Sequence, residues 1–510
     1  MTDPVELPGV DVPQLLEDES LREWIQVQRW YASKSRSVTG LEIVESVVLE
    51  EDPALLLTLV QTRFATGTHE LYQLPVALRP VAGDEPAAGD ERAGRDERAT
   101  GDKPAAGNER AGRDERATGN KSAAGDEPPR PDLIARVDEW DVYDALANPR
   151  QSLALLRRIC ATDQIETEDG VFSFHTTESF IPVSDDAEAR LMGVEQSNSS
   201  IVVDNRLVLK AFRKLEPGVN PELEMLRFLT AHRFPHIAPL QAWYEYDGHA
   251  LAATLGVVQT FLAHAVGGWE LALEEILTLP EIFLDRLAVL GEVTAQMHNV
   301  LASDASDPAF SPEEPSNEAL SLLTATVDED IERIFVRLPD DERVAPIAGR
   351  GQDVRERLTA RAQIGAGGRA IRTHGDYHLG QTLSTPGGWV IIDFEGEPAR
   401  PLPERRQKRS PLRDVAGMLR SFAYATSAAE ILRGQSPPDG FEEQARQRFL
   451  ERYFQEVDST LLPVGEAATA NLLSIFELEK AIYELRYELN HRPNWVPIPV
   501  AGIRRLLEAT

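Results

Sequence analysis

Between Gly83 and Pro128 the chain contains no large apolar residue, so no core can be drawn from that stretch. The segment is a near-duplication. AAGDERAGRDERATGDKP begins at Ala87 and returns from Ala105 as AAGNERAGRDERATGNKS, and AAGDEP then opens a third copy. Two 18-residue copies are too few and too polar for a stacked solenoid. They bury too little to offset their ordering entropy. The composition predicts a disordered insertion inside a surface loop, with no part in chemistry.

The remainder has the makings of real cores. A length of 510 residues predicts two or three packed units, and 42% apolar content is ample for them. The pattern divides as 1–82, a small α+β unit; 83–128, the insertion; 129–262, a strand-rich unit; and 263–510, a mostly helical one. LEIVESVVLE and ALLLTLVQTRF read as strands. A helix is expected from Pro221, because proline is favoured at the first helical position. Further helices are expected near 271–277, 283–300, 318–336, 353–362, 412–434, 441–457 and 467–490. The fold class is α+β, a mixed lobe followed by a helical lobe with a cleft between them.

Charge and cysteine content limit function. A net charge of −32 argues against binding nucleic acid or an anionic membrane through the overall field. A small anionic ligand would need a local cluster of cations and backbone N–H groups. The single cysteine, Cys160, cannot close an intrachain disulfide and fits a reducing interior. No secretory signal is read in the first thirty residues. Gly248–Trp269 lacks Asp, Glu, Lys and Arg, yet its β-branched middle predicts a buried strand rather than a membrane span. A cytoplasmic location is expected.

The chemistry concentrates in THGDYHLGQTL (373–383) and WVIIDFEGEP (389–398). Either half alone reads as a loop or as a strand ending in an acid. Together they set Asp376, Gln381 and Asp393 around one hairpin. Phosphoryl transfer needs one carboxylate to take the proton of an attacking hydroxyl, and hard oxygen donors to hold Mg²⁺ on the phosphates. Asp376 suits the first task, Gln381 and Asp393 the second. His374 is expected to brace the loop, and His378 to brace it or touch substrate.

HGDxHxxQ followed by IDFEGEP resembles the aminoglycoside-phosphotransferase-like small-molecule kinases, and within them the maltokinases. QRWYASKSR (28–36), EQSNSS with LVLKAFRKLEPGVNPELE (207–224), and FELEKAIYELRYELNHRPNWVPIP (476–499) are similar to the corresponding segments of that family. The resemblance implies a bilobal kinase fold with an N-terminal cap subdomain, ATP as co-substrate and Mg²⁺ as cofactor. It implies Asp376 as catalytic base, Gln381, Asp393 and Glu395 at the metal, and Lys210 on the ATP phosphates with Glu224 as its helix partner. In place of a glycine-rich phosphate loop stands GVEQSNSS (193–200), where Ser197, Ser199 and Ser200 are candidate phosphate contacts.

A saccharide site needs planar polar groups beside an aromatic face. Phe476–Trp495 supplies them, with Lys480, Tyr483, Glu484 and Tyr487 near one helical face. His378, Glu484, Tyr487, Glu488 and Trp495 are the candidate sugar contacts. Arg413 and Asp414 form a second candidate pair, with Asp414 expected to cap its own helix. Arg400, Arg405 and Arg406 are either a basic rim near the phosphates or a solvated charge run. The resemblance implies phosphorylation of maltose to maltose 1-phosphate, feeding α-glucan synthesis, and a possible trehalose-isomerising partner enzyme. A glucosamine or other monosaccharide kinase is the alternative, ahead of an antibiotic phosphotransferase or a non-catalytic pseudokinase.

Overall fold

The run ALLLTLV leaves no polar face, and such a strand is stable only with both faces covered. The fold covers them both. A computed structural model of the protein describes residues 19–31, 33–52, 54–81, 132–137, 140–192, 198–362, 367–398 and 400–508; the 83–128 insertion and Ser197 lie outside these. Helix α1 (Glu19–Val27) precedes strands β1 (Val38–Glu51), β2 (Ala54–Phe64), β3 (His69–Pro80), β4 (Leu133–Val137) and β5 (Trp140–Asp144). The strands pair in the order β1-β2-β3-β5-β4. On one face Leu56, Val60 and Tyr72 pack against Trp24, Ile25 and Trp30. On the other, Leu55, Leu57 and Leu59 meet helix α2 (Pro149–Ile159) and the second sheet.

The boundary expected at 129 therefore falls inside the first unit. Trp140–Asp144 pairs antiparallel with β3 in the register Val76 to Asp144 and Pro80 to Trp140. Trp30 and Tyr31 are core residues of this cap, and Arg36 lies over the Phe64 ring at 3.6 Å. WYASKSR is thus structural in its aromatic half.

The second sheet contains β6 (Gln164–Glu166), β7 (Gly170–Thr176), β8 (Ala189–Leu191), β9 (Asn198–Val203) and β10 (Leu207–Phe212). Short β11 (Lys214–Leu215) leaves it to pair with β3. Helix α3 (Pro221–Ala231) follows, started by Asn220, whose side chain accepts from the Glu222 N–H at 2.8 Å. Strands β12 (Leu240–Gly248) and β13 (Ala252–Thr260) complete the order β6-β7-β12-β13-β10-β9-β8. Buried Arg213 ties the two sheets together. It donates to Asp144 Oδ2 at 2.6 Å and to Ser199 Oγ at 2.8 Å, and its guanidinium lies 4.8 Å from the Trp30 ring.

The C-terminal lobe comprises β14 (Val266–Gly267), α4 (Gly268–Thr278), α5 (Pro280–Leu301), α6 (Asn317–Phe335) and α7 (Gly351–Arg361). After these come β15 (Thr382–Thr385), β16 (Gly388–Ile391), α8 (Leu402–Arg405), α9 (Leu412–Arg433), α10 (Phe441–Glu456), α11 (Glu466–His491) and α12 (Pro497–Glu508). The expected helices fall where the apolar period puts them; α12 is an addition. The charge-free stretch 248–269 forms β13 and the entry to α4. Among the described residues no helix is long and apolar enough to cross a membrane. One core joins the lobes, running from Phe212, Leu223 and Val257 to Ile391, Phe394 and Val415.

Candidate active site

Residues 373–378 form a loop, followed by one 3-10 turn (379–381) before β15, so something must hold their backbone. Helix α9 does. Asp414 is 1% exposed; its two oxygens accept from the His374 N–H (2.8 Å) and the Gly375 N–H (2.9 Å). His298 of α5 also approaches it, at 3.3 Å. Two turns later Ser421 Oγ accepts from the Leu379 N–H at 3.2 Å. Between them, Gly417 lets the loop lie directly on the helix, since a Cβ there would sit 2.6 Å from the Tyr377 carbonyl oxygen. Asp414, Gly417 and Ser421 share one face of the helix. Asp414 therefore caps the loop rather than its own helix, as sequence spacing alone suggested.

Gly375 takes φ +85°, a conformation open to glycine at little cost, and the chain turns there to present Asp376. His374 is buried and its Nε2 donates to the Ile392 carbonyl at 2.9 Å. This fastens the loop to the strand leading into Asp393, the bracing role expected of it. Asp376 Oδ1 lies 3.3 Å from Lys480 Nζ on α11. Burial would raise the Asp376 pKa, but Lys480, then His378 and His374, hold it below the usual carboxylate range. His378 Nδ1 accepts from the Gly380 N–H at 3.0 Å, which leaves the proton on Nε2, 3.8 Å from Asp376 Oδ2. Burial lowers the His378 pKa, which favours the neutral ring.

Asp376 acts as a base only when ionised, so its activity is present above its folded pKa and lost as pH falls through it. Lys480→Met removes the main group holding that pKa down. The acid limb of the kcat/KM profile is expected to move upward by about 1–3 pH units. An unmoved limb, in rates measured from pH 4 to 8, would separate Lys480 from the ionisation of Asp376.

Asp393 adopts φ +64°, a left-handed conformation that Asp tolerates better than most residues. It reaches Lys210 Nζ at 2.9 Å and accepts from the Gln381 amide at 3.1 Å. Lys210 also contacts Glu395 (2.7 Å) and Glu222 (2.7 Å). Glu222 is thus the helix partner of Lys210. The expected partner, Glu224, instead pairs with Arg372 and Arg406, because it lies two residues along α3, about 200° around the helix. Burial alone would lower the Lys210 pKa; Glu222, Glu395 and Asp393 hold it well above the ordinary lysine value. The pKa of Glu222 is raised, as burial and its acidic neighbours outweigh Lys210.

One ammonium against three carboxylates, whose ligand atoms lie within 4.8 Å of one another, leaves the cluster short of positive charge. Hard oxygens with a deficit of cation fit a divalent metal such as Mg²⁺. Asn198 Nδ2 donates to Glu395 at 3.0 Å, a contact absent from the expected set. Ser200 pairs with Lys210 across β9 and β10 and shares its face. Ser199 lies one residue out of phase, so its hydroxyl points to the cap and is taken by Arg213; it does not belong with the phosphate contacts.

The candidate sugar residues separate. Helix α11 brings Lys480 to Asp376, and Glu484, one turn on, is held by Arg420 through Oε2 at 3.0 and 2.7 Å. Tyr483 lies under the Lys480 ammonium at 5.4 Å and feels Glu397. Glu488 is buried and bonded to Tyr424 and Arg492. Trp495 stacks on Tyr424 at 6.1 Å. Tyr487 is 42% exposed and stacks on His491. Arg400, Arg405 and Arg406 are not a free rim, since they pair with Glu397, Glu216 and Glu224 respectively.

Comparison with known proteins matches this anatomy. Residues 24–103 match the maltokinase N-terminal cap domain, and residues 182–435 match the phosphotransferase enzyme family. The chain is 26% identical to a glucosamine kinase of Streptacidiphilus jiangxiensis, over 67% of this chain and 78% of that protein. It is 26% identical to one of Mycolicibacterium smegmatis, over 62% and 79%. A solved glucosamine kinase in complex with glucosamine, ADP and inorganic phosphate superposes with a TM-score of 0.66 at 18% identity, covering 98% of this chain and 99% of that one. The chain belongs to the aminoglycoside-phosphotransferase-like kinases, and within them to those that carry a maltokinase-type N-terminal cap.

Proposed function

We propose that the protein transfers the γ-phosphoryl group of ATP to a hydroxyl of a neutral sugar, with maltose as acceptor and maltose 1-phosphate as product, feeding α-glucan synthesis. The observation that carries the reading is the pairing of an ionised, Lys480-held Asp376 with the Lys210–Asp393–Glu395 cluster on either side of His374. The acceptor hydroxyl gives its proton to the Asp376 carboxylate as its oxygen bonds to the γ-phosphorus, and the bond to the ADP oxygen breaks. Lys210 binds phosphate oxygens, and Glu222 orients Lys210. Asp393 and Glu395, with the Gln381 amide, would hold Mg²⁺, which supplies charge neutralisation on the phosphates.

The names of the relatives favour a second reading, glucosamine as acceptor. Charge pairing around the pocket supports a neutral sugar instead. Glu397 is taken by Arg400 at 2.7 Å, Glu484 by Arg420 at 2.7 Å, and Asp376 by Lys480 at 3.3 Å. These three acids, the candidates to receive the ammonium of glucosamine, each already hold a cation. ADP release measured with maltose, glucose and glucosamine tests the choice. Maltose is expected to exceed glucosamine in kcat/KM by about 10²-fold. The reverse order would replace maltose with the amino sugar and leave the kinase chemistry intact.

A further inference from the structure

A cavity of about 820 Å³ lies in the C-terminal lobe, and neither Asp376 nor Lys480 is in its wall. Its lining includes apolar Leu323 from α6 and Leu472 and Phe476 from α11, together with Arg400, Arg409 and Arg413. Arg413 is engaged by Glu479 at 2.9 Å and Arg400 by Glu397 at 2.7 Å. Arg409 differs. Among the described residues it has no carboxylate at ion-pair distance, and its Nη2 donates to the Gln407 amide at 2.9 Å. Its backbone is fixed by a bridge to Ile371, and its side chain is half-buried. Burial, then repulsion from Arg413 and Arg400, push its pKa down to about 10. Helix α9 starts three residues later, at Leu412, and adds the positive end of its dipole.

An anion between these guanidiniums relieves both the repulsion and the missing partner. Glu404 and Glu479 also line the cavity, as do Glu313, Glu314 and Asp330, which pair with Lys408, Arg369 and Arg333; this selects one compact anionic group at Arg409 over a spread polyanion. We propose that this cavity is a second ligand site, taking a small phosphate monoester whose phosphoryl group sits against Arg409 and whose apolar body rests on Leu472 and Phe476. The site goes beyond the phosphoryl-transfer chemistry and does not depend on which sugar is the acceptor.

Phenyl phosphate, titrated calorimetrically into the full chain saturated with maltose and the Mg²⁺ complex of a non-hydrolysable ATP analogue so that the transfer site is filled, tests this. The wild type is expected to bind it saturably. Arg409→Ala should weaken binding at least about tenfold, and Arg409→Lys should recover part of it. ADP release with the sugar acceptor should be unchanged in both variants. Arg409→Gln replaces the alanine variant if that chain is unstable. No saturable heat with wild type, or the same isotherm after loss of the guanidinium, overturns the proposal. Because the readout is binding, a failed acceptor assay with an intact isotherm counts only against the sugar-kinase reading.

Discussion

Asp376→Asn is expected to lower kcat by about 10²- to 10⁴-fold, the usual worth of a general base, while Mg²⁺-ATP binding stays near the wild-type value. The amide keeps the size and one acceptor oxygen of the carboxylate but cannot take the acceptor's proton. It also ends the ion pair with Lys480, leaving that ammonium with Glu484 and Glu397 as its remaining acidic neighbours. The nucleotide side of the cleft is untouched, because Lys210 contacts Glu222, Asp393 and Glu395 rather than Asp376. Single-turnover rates and ATP affinity, measured on the same preparation, separate the two effects. Loss of ATP affinity in step with turnover would place Asp376 in nucleotide binding and remove the base from the mechanism. Turnover near wild type would move the base elsewhere altogether.

How much of this site could be read from the chain depends on how local each relation is. Asp376, Gln381 and Asp393 flank one short hairpin, so their spacing carried them; His374 was legible for the same reason. Lys210 stood out because apolar residues flank it in its strand. The choice between Glu222 and Glu224 was not legible. Both lie in PELEML, and only the packing of α3 against β10 decides which one faces the lysine. Ser199 carried a signal that went unused. Strand parity places Asn198 and Ser200 on the face of Lys210, and therefore Ser199 on the other. The limits of the first unit failed for a different reason. Strand 140–144 pairs with 69–80 across the long polar insertion, and 133–137 pairs with 140–144 beyond it; no local pattern announces pairing over that distance.

The least legible contact is also the one whose loss should cost most in stability. Asp414→Ala would strip the His374 and Gly375 N–H groups of their acceptor and leave His298 with only its Tyr453 partner, all within a buried site. Breaking a buried charged network by deleting one member costs about 3–5 kcal/mol, a large share of an ordinary domain's stability. The Asp414 pKa is lowered: burial would raise it, but His298, His374 and the Gly375 N–H outweigh that. Its stabilisation is therefore complete above the unfolded carboxylate value and is lost as pH falls through the lower folded one. The variant should unfold at lower denaturant concentration at pH 7, with the gap to wild type narrowing below about pH 4. Asp414→Asn presents an NH₂ where one backbone N–H needs an oxygen, and should fall between the two. Turnover should drop in the same order even at temperatures where every variant is folded, because Asp376 sits one residue beyond the anchored Gly375. A folded Asp414→Ala chain with full turnover would show that the catalytic loop holds its shape without α9, and would return Asp414 to the role of an ordinary helix cap.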